Sequence, residues 1–218
     1  MFWFFYVLVF IPFLLLVPIK IYGKKNIEKN KNYIIVCNHQ SNFDPFILDI
    51  YLKKRIRFIA KKELWKGKKR SFFYNSVCGC IPVDRSKGLT LSQTKEIFSI
   101  LKSNNNLGIF PEGTRNNIST RDSMNVKNGA CVFSIKSKTP ILPCYILRKQ
   151  KFFKKNVLII GKPFEFKEFY DKKIDKDVLN QASQIMTNNI LDLKKQYIDM
   201  INEKNIIKVL KKHDKTSK

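Results

Sequence analysis

Residues 33 to 45, Tyr33-Ile34-Ile35-Val36-Cys37-Asn38-His39-Gln40-Ser41-Asn42-Phe43-Asp44-Pro45, run an unbroken apolar segment into a polar loop and then to a proline. A short apolar run with no polar alternation reads as a strand buried on both faces. His39 follows it directly, at the point where catalytic groups gather in open α/β sheets. Asp44 lies five residues further on. On one straight helix the two side chains would face different ways, so they meet only if the connection turns. Ser41 with Asp44 fits a capping box, and Asp44 before Pro45 fits an N-cap followed by proline at the first helical position. Either geometry starts a helix. Two readings therefore stand at this point: a His/Asp acid–base pair, or a helix cap beside a satisfied loop histidine.

Outward from this stretch, short apolar runs alternate with amphipathic ones, which predicts an α/β fold. Further strands are expected at 57–60, 81–84, 107–110, 141–147 and 157–160, and helices at 45–52, 72–77, 91–102 and 126–136. Val178, Ala182, Ile185, Met186, Ile190, Leu193, Tyr197 and Ile201 recur every three or four residues and predict one long amphipathic helix. The Lys-rich residues 208–218 read as a basic flexible tail. The chain has two histidines, and His213 lies in that tail. His39 is left as the candidate for chemistry.

Other strand ends carry cations. Leu107 to Phe110 runs into Pro111-Glu112-Gly113-Thr114-Arg115, where a glycine permits a tight turn and an arginine offers a planar fork to an oxyanion. Gly79 to Arg85 delivers Arg85 from another short strand, and Ala60-Lys61-Lys62-Glu63-Leu64 adds Lys61. Each alone could be a surface ion pair. Together they bring one His/Asp pair and several cations to one sheet edge.

The 218 residues are enough for one domain, and 44% apolar content excludes a disordered basic protein. Lys and Arg number 42 against 17 Asp and Glu, a net charge of +25 that attracts polyanions without choosing among them. No nucleic-acid-binding motif accompanies the charge, so no nucleic-acid partner is expected. Five cysteines, with no second pair to complement Cys78 and Cys80, point to neither a disulfide framework nor a zinc site; no metal is expected.

Residues 1–19 carry no charge and have the length, about 20 residues, that a bilayer core requires. No cation precedes the run and no A-x-A cleavage site follows it, against a signal peptide. A buried core helix is the other alternative; against it, the unbroken run lacks the polar face that a surface helix of a small domain shows. Pro12 and Pro18 would kink it, giving a bent or half-inserted anchor. Lys20, Lys24 and Lys25 place the rest of the chain on the cytoplasmic side of the cell membrane by the positive-inside rule, with Trp3, Tyr6 and Tyr22 in the interfacial zone. The expected organisation is a membrane-anchoring segment at 1–22, a domain at 23–207 and the tail at 208–218.

From about residue 20 to 165 the chain resembles the 1-acylglycerol-3-phosphate acyltransferase family of glycerolipid acyltransferases. His39 and Asp44 match its HxxxxD motif, Gly79 to Arg85 its second motif, Phe110 to Arg115 its FPEGTR motif, and Ile141-Leu142-Pro143-Cys144 its proline-centred fourth. Ala60 to Leu64, Lys127-Asn128-Gly129-Ala130 and Ile160-Gly161-Lys162-Pro163 also resemble family sequence. Pro82 and Met124 stand where bulkier apolar and aromatic residues are common.

The resemblance implies a mixed sheet flanked by helices. It also implies acyl transfer from acyl-CoA or acyl-carrier protein, as substrates rather than cofactors, to the sn-2 hydroxyl of 1-acylglycerol-3-phosphate. Glycerol-3-phosphate or another lysophospholipid is the alternative acceptor. His39 would be the general base and Asp44 its orienting partner. Arg85, Arg115 and Lys61 would hold phosphate, and Gly113 with Thr114 would present backbone donors near the reacting carbonyl. Glu112 would either fix a cation or hold the glycerol. Leu142 to Tyr145 would flank the acyl chain. Cys37, two residues from His39, reads as a packed core thiol in preference to a nucleophile.

Overall fold

The computed structural model describes residues 12–13, 15–84, 86–115, 124 and 126–216, with backbone alone for residue 77 and residues 206–216. A seven-stranded sheet forms its centre, built from β1 (Ile19–Tyr22), β2 (Ile34–Cys37), β3 (Ile56–Lys61), β4 (Ile81–Val83), β5 (Asn106–Ile109), β6 (Ile141–Ile146) and β7 (Asn156–Ile160). The spatial order is β1-β7-β6-β2-β5-β3-β4. Neighbours are parallel except β6 and β7, which pair antiparallel, so the sheet is mixed as expected.

β2 lies between β5 and β6, and its four residues are all buried. The two-residue period of a strand divides them: Ile34 and Val36 join one core, Ile35 and Cys37 the other. The first core is closed by α3 (Leu91–Lys102), α4 (Gly129–Ser137) and α5 (Lys176–Thr216), through Ile97, Phe133, Ala182 and Met186 among others. The second is closed by α1 (Asp44–Leu52), whose Ile47 and Leu48 are fully buried, each worth roughly 1.5–3 kcal/mol of transfer free energy. α3 begins with a capping box: Thr90 Oγ1 accepts from Gln93 N, and Gln93 Oε1 accepts from Thr90 N. The helix expected at 72–77 starts earlier, as α2 (Lys68–Phe72) running into a π-helical turn, Phe73–Val77.

The N-terminal expectation changes. Residues 19–22, the end of the expected anchor, are β1, hydrogen-bonded in parallel to β7. Phe13 and Val17 are buried in the second core, and Tyr51 donates its hydroxyl to the Val17 carbonyl at 2.8 Å. Tyr22 packs edge-on against Tyr197, 5.0 Å between centroids. An apolar run that fits lipid fits a protein core equally well, and composition does not distinguish them. Residues 1–11 and 14 lie outside the described residues, and among the described ones no helix is long and apolar enough to cross a membrane.

At the other end α5 continues through residue 216, so the backbone of residues 208–216, expected as a flexible tail, is helical. No glycine or proline follows Pro163, and lysine is a good helix former, so nothing local stops the helix. Its 41 residues span roughly 60 Å.

Candidate active site

The loop after β2 is clamped before it reaches His39. Asn38 is fully buried; its Nδ2 donates to the Ile146 carbonyl at 2.9 Å and its Oδ1 accepts from Ile146 N at 2.8 Å. The chain then turns back on itself. His39 Nδ1 lies 2.9 Å from Asp44 Oδ2, an oxygen that also accepts from Gln40 N at 2.6 Å and Ser41 N at 2.7 Å. A carboxylate can only accept, so Nδ1 carries the hydrogen and Nε2 presents a lone pair.

Asp44 is the first residue of α1, not its N-cap. Phe43 caps the helix without a side-chain bond, and the Asp44 carboxylate folds back onto the loop instead. Of the two readings left open by spacing, the structure contains the His/Asp pair.

Two further contacts hold the histidine. Its backbone N–H donates to Glu112 Oε1 at 3.0 Å, and its ring stacks on Phe110, 4.1 Å between centroids with planes 20° apart. Phe110 is stacked in turn by Phe58. Glu112 is buried behind the histidine and ties the β5 end to the β2 end, so it braces His39.

The turn itself is closed by Gly113 N donating to Phe110 O at 3.0 Å, with Gly113 at φ +66, where glycine is unstrained. Lys127 N donates to Pro111 O at 2.8 Å, and this bond brings the Lys127 side chain against Gly113.

In front of His39 lies a cavity of about 760 Å³, walled by Phe46, Phe58, Phe73 and Phe110. Lys61, Gly113, Thr114 and Arg115 line it, as expected from the sequence, and Lys127 joins them. Arg115 donates from Nη1 to Asn42 Oδ1 at 2.8 Å. Asp44 and Glu112 sit behind the wall and do not line the cavity. Arg85 lies outside the described residues. Leu142 to Tyr145 are buried within β6 and do not line the cavity either. Lys127 belongs to the family-like stretch Lys127-Asn128-Gly129-Ala130, which assigns it no role; its position two residues before a helix-opening glycine is the available signal.

Asp49, Arg55, Cys78 and Cys80 add polar groups to the lining. Burial pushes the Asp49 carboxyl up to about 6, against a bond from Ile56 N and the charge of Arg55, both of which pull it down. The hydrogen bond between Cys78 and Cys80 holds the Cys80 thiol down and drives the Cys78 thiol up. Cys37 is fully buried in the core, and burial raises its thiol well above the ordinary range, so it is no nucleophile.

An imidazole with one nitrogen fixed and one free, facing an apolar cavity edged by cations, is able to take a proton from a hydroxyl on an amphiphilic anion. The chain belongs to the acyltransferase family: the family model described as Acyltransferase matches residues 18–147. It is 31% identical over 157 residues to the 1-acyl-sn-glycerol-3-phosphate acyltransferase of Bacillus subtilis (strain 168), covering 69% of this chain and 76% of that one. Against the enzyme of the same name from Borreliella burgdorferi identity is 32%, covering 65% of this chain and 56% of that one. Against that of Saccharomyces cerevisiae it is 27%, covering 85% and 63%. The chain thus spans less than two thirds of the latter two relatives. The fold is similar to the crystal structure of the 1-acyl-sn-glycerophosphate (LPA) acyltransferase from Thermotoga maritima, with a TM-score of 0.59 at 23% identity, covering 81% of this chain and 72% of that one.

Proposed function

We propose that this chain transfers a fatty acyl group from acyl-CoA or acyl-carrier protein to the sn-2 hydroxyl of 1-acylglycerol-3-phosphate, giving phosphatidic acid. The observation that carries the reading is the 2.9 Å His39–Asp44 contact in front of an apolar cavity edged by Lys61, Arg115 and Lys127. The names of the three relatives support the acceptor. His39 Nε2 takes the hydroxyl proton as the oxygen attacks the thioester carbonyl carbon. The tetrahedral oxyanion then collapses, the C–S bond breaks, and the imidazolium returns its proton to the departing thiolate. Asp44 holds the imidazole in the required tautomer and supports its cation. The cations take the acceptor phosphate, and the apolar wall takes acyl chain. The catalytic domain works at the cytoplasmic face of the cell membrane.

The test is turnover by purified protein with lysophosphatidate, glycerol-3-phosphate and lysophospholipids of larger head group, each with both donors. Lysophosphatidate should be preferred. His39→Ala should lower its rate by about 10²- to 10⁴-fold with the circular-dichroism spectrum unchanged, and Asp44→Asn should be severely impaired as well. Near-normal turnover by a folded His39→Ala protein would refute the mechanism.

A further inference from the structure

The connection between β6 and β7 carries Arg148-Lys149-Gln150-Lys151-Phe152-Phe153-Lys154-Lys155, five cations and no acid around two adjacent phenylalanines. Both rings are turned out: Phe152 is 52% exposed and Phe153 73%. Loops of soluble domains usually place small polar residues at such a tip. Phe153 moreover sits at φ +59, a left-handed conformation that asparagine or glycine adopts at less cost than a bulky side chain.

The loop is nevertheless rigidly built. Gln150 is buried beneath it and donates from Nε2 to the carbonyls of Lys151 and Lys154, while buried Asn156 donates from Nδ2 to Arg148 O and Gln150 Oε1. Phe153 N donates to Leu16 O at 2.7 Å, which sets the tip beside Leu15, itself 74% exposed. Phe152 packs edge-on against Phe43 at 5.3 Å, and Phe43 separates Asn42, on the cavity wall, from Asp44.

We propose that this loop, together with Leu15, is a membrane-docking surface that inserts Phe152 and Phe153 at the head-group level of an anionic bilayer. Aromatic rings ringed by lysines match that interface: the rings enter the acyl boundary while the ammonium groups stay at the phosphates. The absence of any acidic residue in the loop fits a uniformly negative surface. Through Phe43 the docked bilayer lies against the edge of the cavity, which gives a lipid acceptor a short path to His39. The purpose rests on the proposed function, but the docking does not.

The test uses the full chain and a local readout. Phe153→Trp adds a fluorophore at the tip, read after subtraction of the parent spectrum, which contains Trp3 and Trp65. With vesicles of mixed phosphatidylcholine and phosphatidylglycerol the added signal should shift to the blue and be quenched by brominated lipid. With phosphatidylcholine alone it should respond far less. The double variant Phe152→Ser with Phe153→Asn, whose asparagine tolerates the backbone conformation, should bind anionic vesicles about tenfold more weakly. Its turnover on a monomeric short-chain lysophosphatidate should be unchanged. An added tryptophan that vesicles neither shift nor quench would overturn the proposal, as would equal response to both vesicle types. A signal that vesicles leave untouched but soluble acyl-carrier protein alters would reassign the surface to a protein partner. Quenching in a protein that acylates no lysophosphatidate would leave the docking intact and sink the proposed function alone.

Discussion

Arg115 is exposed at the cavity edge, where Nη1 donates to Asn42 Oδ1, and in the proposed function its guanidinium grips the acceptor phosphate. Lysine supplies charge without that planar geometry, so Arg115→Lys is not conservative here. The variant should raise the KM for lysophosphatidate about tenfold while kcat falls far less than in His39→Ala, because phosphate is held alike before and during the chemical step. Steady-state kinetics with each substrate varied in turn checks this; an unchanged acceptor KM with a raised donor KM would assign Arg115 to the thioester carrier. Among single residues, the sequence made His39 legible because the only other histidine lies near the chain end. The bracing of that residue was not legible. Glu112 and Phe110 are more than seventy residues from His39 in the chain, and nothing local distinguishes a carboxylate that meets substrate from one that accepts a backbone N–H.

At the scale of elements, β5 delivers the turn that braces His39, and it can do so only because residue 108 is glycine. A Cβ there would lie 2.3 Å from the Phe58 ring, which stacks on Phe110, which stacks on His39. Gly108→Ala should therefore lower stability by about 1–3 kcal/mol, the usual cost of overpacking, and should lower turnover as well. Denaturant unfolding together with kcat checks it: a stability loss with activity intact would show that the stack does not position the histidine. Most interior strands and helices were legible because their periods are clean, as in 91–102, where the expected and observed helix coincide. β1 was not. Its four residues follow a proline at the end of a charge-free run, and what makes them a strand is β7, supplied from the far end of the domain. The start of α1 was legible, but not its capping, since Asp44 spends its carboxylate on the loop.

For the whole molecule, folding stability should carry the signature of Asp49. Its carboxyl titrates near 6 in the folded protein against an ordinary 3.8, so the native state holds the proton more tightly than the unfolded chain does. The stabilisation is complete below about pH 4 and is lost as pH rises through 6. Asp49→Asn imitates the protonated form and can still accept from Ile56 N through its amide oxygen. Its melting temperature should exceed the parent's at pH 7, and the gap should close as pH falls toward 4. Parallel melting curves at every pH would refute the assignment. The pairing of β1 with β7 sets an order of events in synthesis. The strand at residues 19–22 leaves the ribosome early, yet its partner at residues 156–160 emerges only after six of the seven strands have been made. Until then residues 19–22 lack the strand they pair with, so this non-local pairing cannot form before the rest of the sheet has been made. The growing chain thus carries residues 19–22 without their neighbour until residues 156–160 have been added.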